Sequence, residues 1–150
     1  MLYDSLRKGR VSEPGRTYFI TAVLCERERR YFADFRCARC VIEEMRALHD
    51  DETVNSFTWV VMPDHVHWLF ELGDGADLSL AIKRFKARSA QRVNRYLHRR
   101  GTLWQKAFYD HALRKEEDWQ GVTRYIVANP LRAGLVEHIG DYPLWDAIWL

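Results

Sequence analysis

The 150-residue sequence predicts an α+β fold in which two helices cover one face of an antiparallel sheet. Short runs rich in β-branched and aromatic residues alternate with longer runs whose apolar residues recur at helical spacing. These elements follow the order β-α-β-β-α-β, and one further helix comes after them. That order is the split βαβ, or ferredoxin-like, arrangement.

The first half of the chain predicts three strands and one helix. Residues 17–27 (TYFITAVLCER) predict the first strand, and residues 35–49 predict the first helix from apolar residues at steps of three and four. Residues 53–62 and 65–72 predict the two strands of a hairpin. The Pro63-Asp64 pair between them favours a tight turn, because proline cannot donate a ladder hydrogen bond.

The second half of the chain predicts two helices and a fourth strand. Asp77 is the predicted N-cap of the second helix, and Gly101 is its predicted end. Residues 106–114 (KAFYDHALR) predict the fourth strand. Residues 116–128 predict the last helix, which the Asn129-Pro130 pair ends because the residue before proline resists the α conformation.

Composition and length indicate one globular domain. Hydrophobic residues make up 47% and charged residues 29% of the chain, with no repeats, linkers or low-complexity runs. We therefore assign residues 1–150 to one domain, with a core of about 16–130 and a tail of a short helical turn and aromatic residues over 131–150. No run has the length of a membrane span or signal peptide, and the odd number of cysteines favours a reducing cytoplasm.

Basic residues are concentrated in the second helix. Residues 83–100 contain no acidic residue, whereas residues 43–52 are acid-rich. Such a one-sided block is typical of proteins that bind a polyanion, although a solvated helix face is the alternative. The predicted phosphate contacts are Lys83, Lys86, Arg88, Arg92 and Arg95.

Two histidines follow the Pro-Asp turn in VVMPDHVHWLFEL (residues 60–72). Side chains alternate along a strand, so His65 and His67 lie on one face and Val66 and Trp68 on the other. Neighbours on one face are about 7 Å apart along a strand, given a rise of ~3.3 Å per residue, so both imidazoles can bind one metal ion. The spacing alone equally allows two histidines that face solvent.

The last predicted helix carries Tyr125 and Asn129 on one flank of its apolar stripe. Residues four apart on a helix are neighbours, so the two side chains project together. The last helix thereby offers a possible third ligand for a metal between the histidines. A tyrosine at a core boundary and an asparagine that ends a helix are the alternatives.

Five stretches of the chain are similar to the REP-associated tyrosine transposases, a branch of the single-tyrosine HUH (His-hydrophobic-His) transposases. They are VVMPDHVHWLFEL (60–72), IKRFKARSAQRVNR (82–95), LWQKAFYDHALR (103–114), RYIVANPLRAGLV (124–136) and DYPLW (141–145). They follow the order found in that family and cover most of the chain from residue 60 onward. The first 50 residues share only the pattern of the opening strand.

This resemblance implies roles for individual residues. The metal ligands of the family fall on His65 and His67, its nucleophile falls on Tyr125 rather than Tyr109, and its third ligand falls on Asn129. It implies Mg²⁺ or Mn²⁺ as cofactor. It also implies single-stranded DNA with REP-like hairpins as substrate, a 5′-phosphotyrosine intermediate, a bacterial nucleoid setting, and a monomer or homodimer.

Some assignments stay open at this point. Trp104 is either a surface on which bases stack or a core residue, and His111 has either a structural or a catalytic role. A catalytically inactive ferredoxin-like nucleic-acid-binding module is the alternative function. A zinc hydrolase on His65 and His67 is another, and it requires a third ligand other than Asn129.

Overall fold

Five strands form one antiparallel sheet in the computed structural model, which describes residues 15–113 and 119–147. The strand order is β4-β1-β3-β2-β5. The bounds are β1 Thr17–Val23, β2 Val54–Met62, β3 His65–Leu72, β4 Tyr109–Ala112 and β5 Trp145–Ala147. The first four strands have the order of the split βαβ arrangement, so the predicted fold class is confirmed.

Four helices accompany the sheet in the part of the chain that the structure describes. Their bounds are α1 Phe35–Asp50, α2 Leu78–Leu97, α3 Trp119–Val127 and α4 Asn129–Arg132, with short 3-10 turns at Arg27–Arg29, Tyr31–Ala33 and Ile139–Asp141. The predicted cap of α2 is confirmed, because the Asp77 carboxylate accepts a hydrogen bond from Leu80 N. Within the described residues, no helix has the length and apolar character that crossing a bilayer demands.

The helices α1 and α2 pack on one face of the sheet. On β3 the even-numbered residues point to this face, and the Trp68 ring lies 5.4 Å from the ring of Phe85 on α2. Trp68 Nε1 also donates to Ser56 Oγ at 2.7 Å, which satisfies the buried indole N–H. This face holds the larger core.

The opposite face carries α3, which packs on β2, β3 and β5. Ile126 joins a second apolar cluster with Val60 and Leu69, and Thr123 Oγ1 lies 3.0 Å from Thr58 Oγ1 in the buried interface. A register shift between Ser56 and Thr58 inserts one extra residue into β2, so the adjacent residues Phe57 and Thr58 both face α3. The odd-numbered residues of β3, including both histidines, share this face.

Several boundaries differ from the prediction. The strand β1 is shorter than predicted, and β4 spans four residues rather than nine, with position 114 outside the described residues. The start predicted for the last helix, 116–118, also lies outside them. The helix α2 ends before Gly101 because His98 adopts a left-handed φ of 52° and its N–H bonds back to the last turn.

The tail is part of the sheet, which the sequence did not predict. The strand β5 pairs with β2, and Tyr142 Oη donates to Val61 O at 2.6 Å. A strand of three residues is too short to show the alternation of apolar and polar residues by which a strand is predicted. It is recognised as a strand only by its pairing with the edge of β2. The predicted helical turn after residue 130 is α4, which begins at Asn129.

Candidate metal centre and nucleophile

The two histidines lie at the N-terminal end of β3, directly after the Pro63-Asp64 turn. Their ring centroids are 4.7 Å apart at an interplanar angle of 76°. Both are largely buried, with 16% of the His65 side chain and 9% of His67 exposed to solvent. The predicted convergence of the imidazoles on one face is therefore confirmed.

The turn residue Asp64 determines the tautomer of His65. A carboxylate only accepts hydrogen bonds, so the 2.7 Å contact with Asp64 Oδ1 puts the proton of His65 on Nδ1. Burial by itself would raise the pKa of the Asp64 carboxyl, but hydrogen bonds from His65 and from Arg27 Nε, at 2.8 Å, outweigh it and lower that pKa. The lone pair of His65 is consequently on Nε2.

The neighbouring strand β1 holds His67. Thr21 is the register partner of His67, and its Oγ1 lies 2.8 Å from His67 Nδ1. With its proton on Nδ1, the imidazole donates to Thr21 and presents Nε2 as a ligand. Burial, with smaller contributions from the neighbouring His65 and Arg132, lowers the pKa of His67 to about 3, so the ring is neutral at physiological pH.

Asn129 lies beside His65, as the first residue of α4. Its Nδ2 is 3.4 Å from His65 Nε2, so the side-chain amide closes one side of the space between the imidazoles. An amide rotated by half a turn presents its oxygen instead, which is the atom that binds a cation. Pro130 follows in the first turn of α4, where a missing N–H costs no hydrogen bond.

Tyr125 lies in the last turn of α3, beside the same imidazoles. Its ring centroid is 6.3 Å from that of His67 and 6.2 Å from that of Phe19, and 52% of the residue is exposed. Tyr109 also projects to this face, but its register partner is Thr21, so strand β1 separates it from His67. The structure therefore brings Tyr125, and not Tyr109, next to the histidine pair.

The donor set suits a divalent cation. Two imidazole Nε2 atoms and one amide oxygen leave further coordination positions for oxygen ligands such as water or phosphate. Outer partners hold both imidazoles through Nδ1, as in many metal sites. No group of three His, Cys, Asp or Glu side chains suited to a metal occurs in the described ranges.

Several residues of this site carried no clear sequence signal. Thr21 reaches His67 only through strand pairing, and Arg27 reaches Asp64 across 37 positions of sequence. Asp64 did have a signal, because it directly precedes His65. Arg132 reaches Tyr125 because the short helix α4 begins two residues after α3 ends.

The basic helix α2 packs against the opposite face of the sheet from the histidines. Lys83, Arg88 and Arg95 have exposed side chains. Two other predicted phosphate contacts bind within the protein instead. The Lys86 ammonium donates to the carbonyls of Gln105 and Ala107, and Arg92 Nε donates to the buried Glu44 carboxylate at 2.8 Å.

The interpretation of Trp104 as a stacking surface for bases is wrong. Trp104 is 4% exposed and belongs to the core. Its ring packs against those of Phe32 and Phe85, and its Nε1 donates to the hydroxyl of Ser89 at 2.9 Å. An aromatic side chain enclosed in this way presents no face to a base.

Known proteins are similar to this chain in sequence. The family model described as "Transposase IS200 like" matches residues 17–129. The REP-associated tyrosine transposase of Escherichia coli K12 is 28% identical over 132 residues, which cover 86% of this chain and 74% of that protein.

Solved structures show the same fold. A structure of a REP-associated tyrosine transposase bound to a REP hairpin superposes with a TM-score of 0.77 at 26% identity, over 91% of this chain and 79% of that one. A chain from Deinococcus radiodurans shares the fold with a TM-score of 0.54 at 17% identity, over 91% of this chain and 95% of that one. The present chain belongs to the IS200-like transposase family and is similar to its REP-associated tyrosine transposases.

Proposed function

We propose that this protein cuts and rejoins single-stranded DNA beside REP-like hairpins, with Tyr125 as the nucleophile. The observation that carries the proposal is the convergence of the Tyr125 ring, the two imidazoles and the Asn129 amide in one place. The relatives add the substrate class, because one similar structure holds a REP hairpin. The exposed cations of α2 add a sequence-independent attraction for phosphates.

In this proposal His65, His67 and Asn129 hold Mg²⁺ or Mn²⁺. A bound divalent cation supplies Lewis-acid chemistry that neutralises the anionic oxygens of a phosphodiester. Asp64 keeps His65 in the tautomer that offers Nε2, and Thr21 occupies the Nδ1 side of His67, which leaves its Nε2 side toward the metal. The surrounding strands and α3 restrict access of water to the histidines.

The covalent step exchanges one ester for another. Tyr125 Oη loses its proton and forms a bond to phosphorus, while the bond from phosphorus to the 3′ oxygen breaks and that oxygen leaves as a hydroxyl. The product is a 5′-phosphotyrosine linkage on the protein. The linkage conserves the energy of the phosphodiester, so a second 3′-hydroxyl can attack it and rejoin a strand.

A hairpin oligonucleotide with a single-stranded flank tests the proposal in the presence of Mn²⁺. We expect a protein–DNA adduct that survives a denaturing gel, with none from Tyr125→Phe and a normal yield from Tyr109→Phe. An undiminished adduct from Tyr125→Phe contradicts the assignment. Hairpin binding without an adduct, with either metal, would instead identify an inactive binding module.

A further inference from the structure

Arg132 contacts the proposed nucleophile through two separate groups. Its guanidinium carbon lies 4.0 Å from the centroid of the Tyr125 ring, and its Nη2 donates to Tyr125 O at 2.8 Å. The first contact is a cation on an aromatic face, and the second anchors the same guanidinium to the backbone of that residue. The two contacts together keep the Arg132 guanidinium against the ring of Tyr125.

The local backbone explains how Arg132 comes to this position. The helix α3 ends at Val127, and α4 starts two residues later with Pro130 in its first turn. Carbonyls in the last turn of a helix need partners from outside the ladder. Arg132, in the last turn of α4, supplies such a partner to Tyr125 and reaches its ring with the same side chain.

We propose that Arg132 is a positioning residue for the nucleophile, a role that rests on the function proposed above. It holds the half-exposed ring of Tyr125 in one orientation and keeps a permanent positive charge beside the phenol. Negative charge develops there as Oη loses its proton and bonds to phosphorus. Among the described residues, Phe19 and His67 contact the ring edge-on, with centroids more than 6 Å away, and carry no fixed charge.

A pair of unbranched substitutions separates charge from bulk. Arg132→Lys keeps the charge, whereas Arg132→Met keeps a similar length without it. We expect the single-turnover rate of adduct formation at saturating hairpin to fall roughly fivefold in Arg132→Met, and less in Arg132→Lys, since removal of the guanidinium leaves the charge that develops on Oη without its neighbouring cation. Hairpin affinity should change less than the rate.

The matched control is Arg124→Met, which removes an exposed arginine directly beside Tyr125 on α3 and should leave the rate unchanged. Equal rates in wild type and Arg132→Met overturn the proposal. The proposal is also overturned if Arg132→Lys and Arg132→Met form the adduct at the same reduced rate, because the positive charge would then contribute nothing to the rate.

A second measurement needs neither DNA nor metal. N-acetylimidazole transfers its acetyl group to a nucleophilic phenol oxygen with release of imidazole, and peptide mass spectrometry locates the product. Tyr109 is the internal reference, because both tyrosines are 52% exposed.

We expect the acetylation of Tyr125 relative to Tyr109 to fall in Arg132→Met and to be retained in Arg132→Lys. An unchanged ratio in Arg132→Met overturns the proposal. This result stands even if the wild-type protein forms no adduct, so failure of the positioning role is distinguishable from failure of the proposed function.

Discussion

Each imidazole of the candidate site has a hydrogen-bond partner at Nδ1, on the side that faces away from the space between the two rings. His65 donates to a carboxylate that precedes it in the chain, whereas His67 contacts a hydroxyl on the neighbouring strand. Both partners orient a ring before a ligand arrives, and the carboxylate also determines the tautomer of His65. At the scale of single residues, Asp64 and Thr21 are therefore as much part of the site as the histidines.

Replacement of Asp64 tests the contribution of its hydrogen bond with His65 to metal binding. Asp64→Asn removes the charge that holds both His65 and Arg27, so we expect the affinity for Mn²⁺ to fall by roughly 10- to 100-fold. Calorimetric titration of the metal measures the change. Asp74→Asn, which alters an exposed acid away from the site, is the control, and equal affinity in wild type and Asp64→Asn would contradict the assigned role.

At the scale of elements, α1 begins at a capped terminus that also links it to α2. The Asp34 carboxylate accepts from Arg36 N and Cys37 N at 2.9 and 3.3 Å, and Tyr96 Oη on α2 donates to it at 2.9 Å. The hydrogen bond from Tyr96 is the main cause of a lowered pKa for Asp34. A carboxyl whose pKa is lowered by folding stabilises the folded state only where it is ionised.

The stabilising effect of Asp34 should therefore depend on pH. We expect Asp34→Ala to lower the melting temperature at pH 7, and the difference from wild type to shrink as the pH falls below about 4, where the carboxyl takes up a proton. Thermal melts at pH 7 and pH 3 measure it. Asp50→Ala, at the opposite end of α1, should cause no loss, and an equal deficit for Asp34→Ala at both pH values would refute the explanation.

The tail is a structural element because Tyr142 and β5 attach it to β2. Burial raises the pKa of Tyr142 to about 12, so its hydroxyl stays protonated and donates to Val61 O. We expect Tyr142→Phe to lower the free energy of unfolding by about 1 kcal/mol, the usual contribution of one hydrogen bond. Urea denaturation measures this value.

The control for Tyr142→Phe is Tyr125→Phe, because a half-exposed tyrosine at the site should change stability by less than about 0.5 kcal/mol. Equal stability of the Tyr142→Phe and wild-type proteins would show that the tail contributes through its apolar contacts alone.

At the scale of the whole molecule, the acidic and basic segments partly neutralise each other. Arg92 pairs with Glu44, and Arg84 pairs with Asp51, so part of the basic block of α2 binds to α1 and the loop after it. Lys83, Arg88 and Arg95 remain exposed. Since α2 and the histidines lie on opposite faces of the sheet, DNA that contacts both must pass around an edge of the molecule.

This distribution predicts which cations affect DNA binding. We expect the triple variant Lys83→Gln, Arg88→Gln, Arg95→Gln to reduce the salt dependence of hairpin affinity, by up to about 0.7–0.9 in the log–log slope for each phosphate that is no longer neutralised. Fluorescence anisotropy at several NaCl concentrations measures the slope. Arg92→Gln should mainly lower stability, because it leaves the Glu44 carboxylate buried and unpaired.

An unchanged slope in the triple variant would mean that α2 does not contact the DNA. A lower slope in Arg92→Gln, at unchanged stability, would mean that its ion pair opens to bind phosphate.

The sequence by itself determined the split βαβ order and the shared face of His65 and His67. Strand and helix periods are local, so they place side chains on faces without knowledge of the fold. Only the tertiary structure decided that α3 lies over the histidines, that Trp104 is enclosed, and that the tail adds a strand. These outcomes depend on contacts between distant residues, such as those of His65 with Asn129 and of Trp104 with Phe32, and no local period encodes them.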